Sequence, residues 1–162
     1  MDEITLQPVS RDNWRQALKL SLFPEQQHFV ADVTPPVAIA LAKAYIQPGH
    51  KNVAPFAIYA GDRMVGFFNL HYTAESVDDY WIFHFFIDKD HQRQGYGQAA
   101  LSKLIERIRT KHPHCERIRL TVNPNNHAAQ AFYRKMGFVS DGQLAYGEPI
   151  YTLTLQDVDD YK

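Results

Sequence analysis

Residues 79–88, "DYWIFHFFID", limit most strongly what this chain can fold into. In a strand, successive side chains point to opposite faces. Here Ile82 and Phe86 fall on one parity, and Trp81, Phe83, Phe85 and Ile87 on the other. A strand that is apolar on both faces has to be covered on both. The segment therefore predicts a central strand in a sheet that lies between two layers of helices. Strict alternation also turns His84 away from Trp81 and Phe83.

The flanking patterns fit such a sheet. "ITLQPV" alternates as a first strand, and "SRDNWRQALKLSL" has helical spacing at Trp14, Ala17 and Leu18 with Ser10 as N-cap. "TPPVAIALAKAYI" predicts a helix started by its prolines. "PFAIYAGDRMVGFFNLHY" reads as a hairpin about Gly61-Asp62. After the aromatic strand, Leu101, Leu104, Ile105 and Ile108 recur at i, i+3, i+4 and i+7, and Pro113 ends that helix. "RIRLTV" is a strand, "NPNNHAAQAFYRKMGF" a loop and short helix capped by Gly137, and "VSDGQLAYGEPIYTLTL" a final strand pair. The tail "QDVDDYK" reads as a frayed acidic end. The order β-α-α-β-β-β-α-β-α-β-β predicts an α/β (α+β) domain with a mixed sheet.

The chain has 162 residues, 17 Lys and Arg against 18 Asp and Glu, and a net charge of -1. That balance argues against a partner such as nucleic acid, which asks for a basic excess. The lone Cys115 cannot form an internal disulfide and points to a reducing, cytoplasmic setting. The N-terminus lacks a signal-peptide pattern. The most apolar windows are short and are interrupted by Lys43 and His84, so no membrane span is expected. The scattered histidines give no metal-ligand spacing.

Between the aromatic strand and its helix stands Gln92-Arg93-Gln94-Gly95-Tyr96-Gly97. Orphan amides at a helix start attract anions, and glycine lets the main chain approach an oxygen closely. A P-loop is excluded, because Gln98 and Ala99 stand where Lys and Ser or Thr belong. A dinucleotide loop fits poorly: the gap from Asp88 to Gly95 is too long, and the next strand ends without a carboxylate. Two readings remain on the loop alone, a diphosphate cradle and an ordinary strand-to-helix connection.

The loop resembles the coenzyme-A loop of the GNAT superfamily of N-acetyltransferases. A second block, "LTVNPNNHAAQAFYRKMGF", resembles that family's following segment through Asn126, Ala129, Tyr133, Lys135, Gly137 and Phe138. Two blocks in order are far more specific than one. The resemblance covers residues 55–155 and implies a GNAT fold: one N-acetyltransferase domain over residues 1–162, with a mostly antiparallel sheet and splayed central strands. It implies acetyl-CoA as co-substrate, with no metal. The coenzyme's arm would lie between "FFID" and "LTVN" and meet backbone groups of Phe85, Phe86 and Ile87. Gln92, Arg93, Gln94, Gly95, Tyr96, Gly97 and Gln98 would hold its diphosphate, and Asn126 and Ala129 its arm. The catalytic groups implied are the Phe85 amide, for the carbonyl oxygen, and Tyr133, which lies near the sulfur and protonates it. The other reading of Tyr133 is a packed aromatic beside Phe132.

The subgroup it resembles is the bacterial spermine/spermidine type, which implies a small primary amine as acceptor, a di- or polyamine among them. Carboxylates should then line the acceptor groove, and Glu25, Asp32, Glu75 and Asp78, with Trp81, are the candidates. No acid stands at Trp81 or Phe83, where relatives carry a base. His71, Glu75, Asp78, Asp79 and Glu148 are the remaining candidates for the base. An acyl-CoA-binding module without turnover and an enzyme acting on a peptide amine are the alternatives. Phe67, Phe68 and Tyr72 fit either a homodimer edge or the core.

Overall fold

The computed structural model describes residues 2–155; the acidic tail lies outside the described residues. Seven strands form one sheet in the order β1-β2-β3-β4-β5-β7-β6. These are β1 (Ile4–Pro8), β2 (Asn52–Ala60), β3 (Arg63–Tyr72), β4 (Tyr80–Ile87), β5 (Arg117–Thr121), β6 (Val139–Ala145) and β7 (Glu148–Thr154). The helices are α1 (Trp14–Ala17), α2 (Pro24–Val30), α3 (Pro36–Ile46), α4 (Tyr96–Lys111) and α5 (His127–Lys135). All strand pairs are antiparallel except β4 with β5. Among the described residues, no helix is long and apolar enough to cross a membrane.

The aromatic strand is covered on both faces, as its composition requires. On one side Leu101, Leu104 and Ile108 of α4, Tyr133 of α5 and Phe138 just after it pack with Ile58, Phe68, Ile82 and Ile118. Each of these Leu, Ile and Phe side chains contributes about 1.5–3 kcal/mol by leaving water. On the other side Ala17, Val37 and Ala40 of α1 and α3 meet Ala57, Phe67 and Phe86. Phe67 and Phe68 are fully buried, so these two are core and offer no edge to a partner.

Two local features differ from the sequence pattern. Ser10 is not the N-cap of a long helix. Its amide donates to Asn13 Oδ1 at 2.8 Å, and Asn13 stands at the start of a single turn, Trp14–Ala17. A separate helix, α2, follows that segment and is begun by Pro24.

The second difference lies in β4. Phe67 pairs with Phe86 and Asn69 with Phe83, so His84 and Phe85 together face Phe68 alone. This is a β-bulge, and His84 takes a left-handed φ of 55° within it. The bulge resets the alternation, which places His84 on the same face as Phe83 and not on the opposite one.

Candidate active site

The parallel pair β4 and β5 touches at one register position, Trp81 with Arg119. Beyond it β4 runs on to Ile87 and β5 to Thr121, and the two strands part. A strand edge left this way carries backbone N–H and C=O groups in want of partners. The central strands are therefore splayed, and the slot between them opens at their C-terminal ends.

Phe85, Phe86 and Ile87 border that slot. The Phe85 ring lies 6.4 Å from Phe132 of α5, while Phe86 is buried toward α1 and α3. Tyr133 is also close by, packed edge-on against Phe132 at 5.1 Å and Phe138 at 5.6 Å. Burial pushes its phenol well above the ordinary tyrosine range. It therefore holds its proton at neutral pH, as a donor must.

The loop after β4 is anchored at its start and open at its end. Asp88 is buried and accepts from the amides of Ser21 at 2.8 Å and Asp90 at 3.2 Å. Gln92 exchanges two amide hydrogen bonds with Gln26 of α2, at 2.9 and 3.1 Å, and donates to the Ile87 carbonyl at 3.0 Å. Its side chain is thus used to hold the loop. Arg93 (φ 63°) and Gly95 (φ 82°) are both left-handed. Such backbone turns amide groups into a shared concavity that suits an anion.

Among the described residues no protein acceptor meets the amides of residues 93–98. Arg93, Gln94, Gly95 and Gln98 are exposed, and Tyr96 is buried with its hydroxyl accepting from Arg63. A Cβ on Gly97 would lie 3.7 Å from Ile87, which sets the start of α4 directly against the end of β4. Across the slot, Asn126 caps α5 by accepting from the Ala129 amide at 3.2 Å.

On the other face of the sheet lies a cleft of about 740 Å³. Its lining comes from α2, α3, the turn at residues 48–51, β3, the β4 bulge, the end of β5 and the β6–β7 turn, and includes Asp32, Lys43, His71, Phe83, His84 and Glu148. Of the five proposed acceptor contacts only Asp32 lines it. Glu25 and Glu75 are exposed elsewhere. Asp78 faces Arg117 and Arg119 at 3.6 and 3.5 Å. Trp81 donates to Asp79, which also pairs with Lys51 at 2.7 Å and accepts from Thr73.

Lys43 and His84 are the cleft residues that sequence reasoning passed over as candidates. Their signal was that each interrupts an otherwise apolar run. His84 Nδ1 lies 2.7 Å from the Val30 carbonyl, so that nitrogen carries the proton and donates. Its Nε2 accepts from Lys43 Nζ at 2.9 Å. Burial, and then the nearby lysine charge, hold His84 and His71 down at about 4. Both are neutral at pH 7. Desolvation also lowers Lys43, against an opposing pull from Asp32.

Comparison with known proteins identifies the family and the fold. The chain is 29% identical over 153 residues to the spermine/spermidine N(1)-acetyltransferase of Bacillus subtilis (strain 168), covering 91% of this chain and 95% of the relative. Its structure resembles a spermidine N-acetyltransferase from Vibrio cholerae in complex with CoA and spermine, with a TM-score of 0.69, 14% identity and 92% of each chain covered. It also resembles the PaiA N-acetyltransferase of Thermoplasma acidophilum in complex with coenzyme A, with a TM-score of 0.68, 12% identity and 94% and 99% of the two chains covered. The profile of the acetyltransferase (GNAT) family matches residues 13–138. The chain therefore belongs to the acetyltransferase (GNAT) family and is an acyltransferase.

Proposed function

We propose that the protein transfers the acetyl group of acetyl-CoA to a primary amine of a small molecule. The carrying observation is that the amides of residues 93–98 are uncommitted beyond the end of β4, where β4 and β5 part, while a cleft lined by Phe83 and His84 of the same strand opens on the other face. In this reading the loop amides and Arg93 hold the diphosphate, with the partial positive charge of α4 behind them. The pantetheine arm runs along β4 past Ile87 and Phe86, with Asn126 and Ala129 on the far wall. The Phe85 amide faces the thioester oxygen, where negative charge develops.

The amine must reach the carbonyl carbon unprotonated. Its nitrogen forms the new C–N bond as the C–S bond breaks. Tyr133 gives its proton to the departing sulfur and is restored by the proton that the acylated nitrogen sheds. The products are the acetamide and CoA thiol.

Di- and polyamines are the acceptor class that the relatives' activities support. Asp32 and Glu148 are the cleft carboxylates that would hold a distal ammonium. The free, buried thiol of Cys115 suits a reducing compartment, and we place the enzyme in the cytoplasm.

The test is an acetyl-transfer screen over polyamines, amino acids, aminoglycosides and peptides, with product mass as readout. A mono-acetylated polyamine is the expected product. A peptide product would move the acceptor class. CoA binding with no turnover on any amine would make the protein a binding module. Replacing Tyr133 by Phe should cut turnover about a hundredfold, the lower end for loss of a general acid, with CoA affinity kept. Equal turnover in the two proteins would remove Tyr133 from the chemistry.

A further inference from the structure

Of the five candidate bases read from the sequence, only His71 and Glu148 line the cleft; His71 is held down at about 4, a weak base, and Glu148 already accepts from Thr121 at 3.1 Å. Asp78 and Asp79 are paired with cations, and Glu75 lies outside the cleft. Yet an alkylammonium ordinarily holds its proton to a pH of about 10. We propose that Lys43, oriented by His84, takes the proton from the incoming amine. This rests on the acetyl-transfer reading above.

The hydrogen-bond geometry separates the roles of the two residues. His84 is fixed in one tautomer, because Nδ1–H donates to the Val30 carbonyl at 2.7 Å. Its one lone pair, on Nε2, is occupied by Lys43 Nζ at 2.9 Å. His84 therefore cannot receive the substrate's proton while this contact stands; it is a positioning residue. Nζ lies 5.2 Å from the centre of the Phe83 ring, on the wall of the cleft. His84 directly precedes Phe85, whose amide is assigned to the thioester oxygen. Lys43 thus lines the cleft beside the strand residue that precedes the amide assigned to the thioester.

The charged surroundings suit a neutral amine. Seven titratable groups share the cleft with Lys43: His84 from β4, His71 from β3, His28 from α2, Asp32 before α3, Lys51 before β2, Tyr146 from the β6–β7 turn and Glu148 from β7. The imidazoles of His71 and His84 are neutral at pH 7. Lys51 pairs with Asp79 at 2.7 Å, whereas among the described residues no carboxylate lies within 4.0 Å of Lys43. An ammonium short of water and of a counter-ion gives up its proton more readily. The transfer is R–NH3+ plus neutral Lys43 to R–NH2 plus Lys43 ammonium, which then loses its proton to water in the open cleft.

The experiment measures kcat/KM for spermidine against pH in wild type, Lys43→Met and Lys43→Arg. Acetyl-CoA affinity and melting temperature serve as fold controls. Both variants should lose about a hundredfold at neutral pH. Their acidic limb should move up toward the amine's own value of about 10. Arginine keeps the charge but cannot accept a proton, so a wild-type profile in Lys43→Arg would reduce Lys43 to a mere charge and overturn the proposal. An unchanged profile in Lys43→Met would overturn it as well. The 13C shift of Lys43 Cε, followed with pH in the wild type, needs no acceptor and no variant. Titration below the ordinary lysine value supports the assignment, and titration at that value refutes it. If the wild type leaves spermidine unacetylated, the polyamine reading fails, and the Cε titration alone then decides for or against Lys43.

Discussion

The glycine loop and the acceptor cleft lie on either side of the same strand, yet they are built in opposite ways. The loop is a run of backbone, residues 92–98, shaped by two left-handed residues and the start of one helix. The cleft draws its walls from seven segments spread from His28 to Glu148. The loop presents amides that almost any sequence could supply, provided glycine stands at the required φ. The cleft presents particular side chains, so its chemistry depends on which of them the fold brings together. A coenzyme that many proteins share suits the first kind of site. An acceptor that differs from protein to protein suits the second.

The strongest way to break this contrast is at Gly95. With φ at 82°, a β-branched residue there is strained, and its side chain would intrude among the amides. Gly95→Val should abolish measurable acetyl-CoA binding by calorimetry, while the strain costs the fold only about 1–3 kcal/mol. Normal binding in this variant would show that the loop is not the cradle.

The cleft should also respond to acid through its histidines. His71 and His84 sit at about 4 in the fold, against an ordinary 6.5. Below pH 6.5 the unfolded chain therefore binds protons that the native chain refuses. Stability is full above that value and is lost as pH falls toward 4, at up to about 2.7 kcal/mol per pH unit for two protons. Urea unfolding across this range measures the slope. His71→Asn should roughly halve it, and an unchanged slope would assign the loss to other groups.

Gln26 and Gln92 join the two regions, since they tie α2, a wall of the cleft, to the loop. Gln26→Ala should lower stability by about 1 kcal/mol. It should also raise KM for acetyl-CoA and for the amine together. A rise in one alone would mean that the two sites are less joined than this contact implies.

The smallest effect distinguishes carboxylates inside the cleft from those outside. Asp32→Asn should raise KM for spermidine about threefold, as expected for an exposed ion pair. Glu25→Gln should leave it unchanged. The reverse result would place the acceptor at the α2 surface.

These differences explain what could be read in the chain beforehand. Leu101, Leu104 and Ile108 declare their helix and its buried face because their periodicity is local. Gly95 declares its loop for the same reason. The Gly61-Asp62 turn declared the β2–β3 hairpin because a two-residue turn is a local signal, although a bulge at Ile58/Tyr59 then shifts the register. Glu75 and Asp78 looked like acceptor contacts because they cluster in sequence. In the fold, Asp78 turns to Arg117 and Arg119. No local rule could announce that pairing.

The chain by itself determined a sheet covered on both faces, a helix opening on a glycine loop, and hence a place for an anion. Each follows from the spacing or backbone preference of residues near one another in sequence. Only the tertiary structure decided which face His84 would occupy, because the bulge arises from pairing with β3, where Phe68 alone meets both His84 and Phe85. It also brought Lys43 to that imidazole from 41 residues away. Such contacts are set by how strands register and helices dock, and those are properties of the packed whole.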